Sequence, residues 1–179
     1  MSEPQRTTAS EAAHLRQEIR AELEATREAY HVLLDSLSDD DWYRPSGNSA
    51  WTVGQVIYHM TMAPRMLPSD VRMIRRGRRA PGLPAFIFNS LNVLVTRWGA
   101  RKHTRQTVGA VYDAAHAAAL AAFDTIQDHE WAKGVEYPDW DPMLSGFVTI
   151  ERLFRYLSLH FKVHAGQAQQ ALVADSPSS

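Results

Sequence analysis

The chain has 179 residues, the size of one domain, and its 45% hydrophobic and 22% charged content is that of an ordinary globular protein rather than a disordered one. Nineteen Lys and Arg against twenty Asp and Glu leave a formal net charge of -1, which supplies no global attraction to nucleic acid or an acidic polymer. The absence of cysteine excludes disulfides, thiolate nucleophiles and thiolate metal ligands, so any metal chemistry must use His, Asp or Glu.

The N-terminal run MSEPQRTTASEAAH is polar and lacks the apolar core of a signal peptide. No stretch reaches the ~20 apolar residues that cross a bilayer. The expectation is a cytoplasmic protein with one domain over residues 8–173 and flexible tails at 1–7 and 174–179.

Four long segments carry helical periodicity, with almost no strand alternation, which predicts an all-α chain. The first runs from Thr8 to Ser36. Thr8 and Glu11 have capping-box spacing, and Leu15, Ile19, Leu23, Tyr30, Leu33, Leu34 and Leu37 form its apolar stripe. A Pro- and Gly-containing loop follows, and a second helix begins at Thr52, where Gln55 completes another capping box. Pro64 and Pro68 predict a kink or break before the pattern ends at Gly77. Residues 78–103 hold a Pro/Gly tract and then the short apolar run FIFNSLNVLVTRW, read as a short extra helix: a buried helix, a lid or a subunit contact. An alanine-rich third bundle helix covers Thr104 to Gln127, followed by an aromatic loop. The fourth helix spans Thr149 to Val173. Four helices of this length predict an up-and-down four-helix bundle with a short extra apolar helix between the second and third.

The fourth helix contains His160-Phe-Lys-Val-His164. Spacing i, i+4 puts both imidazoles on one face, in line with Leu153 and Leu157, and lets them share one ion. His59, on the second helix beside Val56 and Met60, supplies a third nitrogen. Spacing alone also fits three core histidines that only make hydrogen bonds. The intervening Phe-Lys-Val excludes an H-E-x-x-H protease site.

The run WTVGQVIYHM (51–60) and the run TIERLFRYLSLHFKVHAGQAQQ (149–170) resemble the second and last helices of the DinB-like family, DinB/YfiT-like four-helix-bundle metalloenzymes. The resemblance covers most of residues 10–173 and is weakest over 78–103. It implies a divalent-metal site at His59, His160 and His164, with zinc or nickel favoured and iron or manganese as alternatives. It also implies a homodimer, and an activity on a small molecule in detoxification, stress or secondary metabolism. Two reactions fit: hydrolysis with a metal-bound water, or transfer of a low-molecular-weight thiol of the bacillithiol or mycothiol type. The rival reading is a noncatalytic bundle that sequesters a small apolar ligand, its metal site vestigial.

Gln167 and Tyr156 share the helical face of the histidine pair and are candidates to orient a ligand. Trp131, Tyr137, Trp140 and Phe147 lie around the loop before the last helix, as an aromatic wall for substrate or a cap on the core. The carboxylates Glu136, Asp139 and Asp141 lie in the same loop, and no general base stands out. Arg72, Arg75, Arg76, Arg78 and Arg79, with Arg97, Arg101, Lys102 and Arg105, form two cationic clusters: a solvated face, a grip on an anionic substrate or, least favoured, a nucleic-acid surface. Neither a membrane nor a nucleic-acid partner is expected.

Overall fold

The computed structural model describes residues 9–79, 82–141 and 143–173. Its first helix, α1 (Ala9–Ser36), buries Ile19, Leu23, Tyr30, Leu33 and Leu34, so the spacing of three and four becomes one inward face. The expected Thr8–Glu11 capping box involves Thr8, which lies outside the described residues, as do the two tails.

The second bundle helix is two pieces, α2 (Val53–His59) and α3 (Met62–Arg75). The Thr52–Gln55 capping box closes its start, with both reciprocal bonds made. The interruption falls at Met60 and Thr61, ahead of both prolines rather than at them. Pro64 has no N–H for the carbonyl of Met60 four residues earlier, so the ladder opens one turn upstream. Pro68 is accommodated inside α3.

The apolar run of the irregular segment forms α4 (Ala85–Ala100), and α5 (Arg105–Asp124) follows, ending three residues before the expected Gln127. Two short strands, β1 (Gly134–Tyr137) and β2 (Gly146–Thr149), pair antiparallel with Val135 opposite Val148 and Tyr137 opposite Gly146. Gly146 turns with φ 69°, a conformation that favours glycine. This hairpin occupies the stretch read from the sequence as an aromatic loop. The last helix is α6 (Ile150–Val173).

Helices α1, α2–α3, α5 and α6 form the up-and-down four-helix bundle, with α3 against α5, α1 against α6, and both halves of the broken helix against α6. α4 is the extra apolar helix, held against α2 at the side of the bundle. Of the readings open for it, the buried helix is not what the structure contains: only Thr96, Gly99 and Ala100 of α4 are buried.

The core has two parts. One gathers Ile19, Leu23, Leu67, Val71, Phe123, Trp131, Phe154 and Leu157. The other gathers Tyr30, Leu34, Trp51, Val56, Ile57, Tyr58, Tyr112, Ala165 and Ala168. Along α6 the first ends at Leu157 and the second begins at Ala165. Along the broken helix the change falls between Met60 and Leu67. Polar side chains buried at that seam are therefore enclosed above and below by apolar packing. No helix among the described residues is long and apolar enough to cross a membrane.

Candidate metal centre

His59 ends α2, and His160 and His164 lie one turn apart on α6, at the seam between the two cores. All three are buried, with exposures of 6%, 5% and 9%. One ring nitrogen from each lies within 4.8 Å of the other two. His59 Nε2 and His160 Nε2 are 3.1 Å apart. Two nitrogens bound tetrahedrally at ~2.0–2.1 Å stand about 3.3 Å apart, so the cluster is near the size an ion requires.

Burial strips water from the rings and disfavours their charged forms. His59 is pushed down to about 3, and His160 and His164 are also lowered, in each case mainly by burial. Neutral imidazole is the form that ligates a metal.

The remaining nitrogens fix which lone pair faces inward. Thr96 Oγ1 lies 3.2 Å from His59 Nδ1, and the same hydroxyl points its proton at Met62 Sδ, 3.7 Å away. The Thr96 oxygen is thus left to accept from His59 Nδ1–H. His164 Nδ1–H donates to Gln167 Oε1 at 2.8 Å. His164 therefore carries its proton on Nδ1 and presents a bare Nε2, and His59 does the same in the tautomer that donates to Thr96. Trp51 lies tilted against His59 with ring centroids 4.5 Å apart, and its ring centroid is 6.0 Å from that of His164. Its indole N–H is buried without a hydrogen-bond partner among the described residues, an arrangement that favours a ligand able to accept. Two aimed lone pairs, a third imidazole and an unpaired donor together fit a divalent ion with an exogenous ligand.

Of the other residues named from sequence, Gln167 touches His164 and Tyr156 lies beside His160, ring centroids 5.4 Å apart. The Tyr156 hydroxyl donates to Asp141 Oδ2 at 2.6 Å, so one loop carboxylate does bend inward. Trp140 stacks on Phe88 of α4 at 4.5 Å and donates to the Leu83 carbonyl, joining the loop to α4. Trp131 packs with Phe123 and Phe154 in the core, away from the histidines, and Phe147 is exposed. Arg75 is taken up by Glu130 at 2.7 Å.

Two residues went unnoticed in the sequence. Asp70 on α3 is raised to about 6 by burial; it acts electrostatically on Tyr137 and Tyr156, and the Tyr137 hydroxyl faces it without closing a hydrogen bond. Its spacing from Leu67 and Ile74 puts a carboxylate on an apolar stripe, a signal that was readable. Thr96 gave none, because nothing local says which face of α4 turns inward.

The chain matches the DinB superfamily over residues 22–168. Its fold is similar to that of a mycothiol-dependent maleylpyruvate isomerase, with a TM-score of 0.68 at 14% identity, covering 86% of this chain and 60% of that one. A histidine-to-alanine variant of that isomerase matches with a TM-score of 0.67, 13% identity and the same coverage. At such identity the likeness shows the fold, and the chain spans less than two thirds of the isomerase's length. No curated protein matches the sequence.

Proposed function

The chain belongs to the DinB superfamily, and from that premise we propose that it is a divalent-metal-dependent enzyme that acts on a small molecule with the help of a low-molecular-weight thiol. The observation that carries this reading is the pair of outward hydrogen bonds, His59 to Thr96 and His164 to Gln167, which leave two bare Nε2 atoms beside His160. His59, His160 and His164 would hold the ion. Bound there, it would supply Lewis-acid activation of a thiol or water at an open coordination position.

The chain's own residues supply the rest. The buried Trp51 indole N–H, unpaired among the described residues, is free to meet a ligand. Asp70, raised by burial to about 6, exchanges a proton close to neutral pH, and Asp141 holds the hydroxyl of Tyr156, whose ring lies beside His160. With no cysteine in the chain, the thiol must arrive as a small molecule. The fold shared with a mycothiol-dependent isomerase favours thiol transfer or isomerisation over the hydrolytic alternative.

The test is metal content by plasma mass spectrometry on untagged protein, followed by thiol addition to the cobalt-substituted form. About one equivalent of metal per chain is expected, absent from His160→Ala/His164→Ala. Thr96→Val and Gln167→Ala are expected to keep the site but weaken it by about 10- to 100-fold. A sulfur-to-cobalt charge-transfer band on adding mycothiol supports thiol use. Ester hydrolysis without such a band would shift the assignment to a hydrolase. Absence of metal after reconstitution would leave a bundle that binds a ligand without catalysis.

A further inference from the structure

Residues 71–112 contain nine of the nineteen Lys and Arg and none of the twenty Asp and Glu, so this segment carries +9 and the rest of the chain -10, against an overall -1. α4 lies at its centre. Its outer face exposes Phe86 by 71%, Leu94 by 63% and Trp98 by 59%, and Ile87, Leu91 and Val95 lie on the same half of the helix. The inner face is committed: Thr96 to His59, Phe88 to Trp140, and Gly99 against Tyr58. Single exposed apolar residues need no explanation, but six on one helical face do.

Cations frame this face at both ends. Arg78 and Arg79 precede α4, and Arg101 and Lys102 follow it, all exposed. Arg72, Arg76, Arg78, Arg79 and Arg101 make no ion pair among the described residues, whereas Arg75 and Arg105 are paired with Glu130 and Asp39. Lys102 Nζ lies 3.8 Å above the Trp98 ring, a cation and an indole together at the helix end. A second copy docked through α4 would set cations against cations in either orientation, because the segment has no carboxylate to answer them. A surface both apolar and anionic answers both features.

We propose that α4 is a membrane-docking helix that lays its outer face on an anionic phospholipid surface, with the flanking arginines on the headgroups. The helix lies in the plane of the interface, its 16 residues reaching about 24 Å. This departs from the expectation that no membrane is a partner, and it stands independently of the metal centre.

The test is co-sedimentation of the full chain with vesicles of phosphatidylcholine alone and of phosphatidylcholine mixed with phosphatidylglycerol, at low and high salt. Binding to the mixed vesicles is expected to be at least about tenfold tighter, and to weaken with salt. Leu94→Glu should abolish it, and the triple change Arg78→Glu, Arg79→Glu and Arg101→Glu should remove the preference for phosphatidylglycerol. These side chains are exposed, so circular dichroism and melting should stay unchanged, separating lost docking from lost folding. Equal binding to both vesicle types, or to neither, would overturn the proposal. So would a dimer in gel filtration that Leu94→Glu dissociates without any vesicle binding, which assigns the face to a second copy. Binding to DNA in place of vesicles would assign the arginines to nucleic acid.

Discussion

Three buried imidazoles and the desolvated carboxyl of Asp70 give the protein opposing responses to acid. His59 is pushed down to about 3, and His160 and His164 are lowered as well, all by burial. In the metal-free protein the unfolded chain takes up protons at these side chains near pH 6.5, and the folded chain does not. Stability therefore falls as the pH drops below 6.5, by about 1.4 kcal/mol per pH unit for each histidine that stays neutral. Asp70 works the other way. Burial raises it from 3.8 to about 6, so its stability contribution is full below pH 3.8 and lost as the pH rises through 6. Keeping it ionised at pH 7 costs up to about 3 kcal/mol. Asp70→Asn is accordingly expected to raise the urea midpoint at pH 7 and to give little gain at pH 4. Urea titrations at the two pH values measure this, and an equal gain at both would show that ionisation of Asp70 is not the cause.

At the scale of elements, the histidine cluster depends on a helix break and a close approach. The break after His59 lets α3 leave the line of α2, so the histidine ends one helix where the other core begins. α4 meets α2 through Gly99, where a Cβ would overlap the Tyr58 hydroxyl and ring. Tyr58 is buried and stacks on His103, so it has little room to yield. Gly99→Val is expected to destabilise the fold by about 1–3 kcal/mol, the usual range for overpacking. In a chain of this size that lowers the melting temperature by about 2–4 °C for each kcal/mol. Because Thr96 rides on the same helix, the variant should also bind metal more weakly, whereas a loss of stability without that change would place the strain away from the site. The hairpin contributes by pinning the loop that carries Asp141 and Trp140, with Arg152 donating to the carbonyls of Met143, Ser145 and Phe147.

For the whole molecule, an ion at the three histidines would tie α2 to α6 across the seam between the two cores. Anything that binds only the folded state stabilises it, by about 2.7 kcal/mol at a free concentration one hundred times the dissociation constant. Calorimetry is expected to show a higher melting temperature with zinc or nickel and a lower one after chelation, with no response in His160→Ala/His164→Ala. A metal response that persisted in that variant would move the site elsewhere. The charge distribution is also a property of the whole: a segment of +9 on a chain of net charge -1 leaves the remainder strongly acidic, which orients the molecule toward an anionic surface.

The helical stripes, the Thr52–Gln55 cap and the one-turn spacing of His160 and His164 are local patterns, and the sequence by itself determined them. The bundle follows, because four long amphipathic helices have few ways to bury their stripes. The hairpin was not legible, since strands of four residues with only Val135, Tyr137 and Val148 buried leave too short an alternation. The break announced by Pro64 and Pro68 fell one turn early, at Met60; its position was not legible, nor were the inward face of α4 and the surroundings of Asp70. Only the tertiary structure decided those, because a side chain's neighbours, its loss of water and its proton affinity depend on elements distant in the chain. Periodicity reports which residues share a face; it does not report what that face meets.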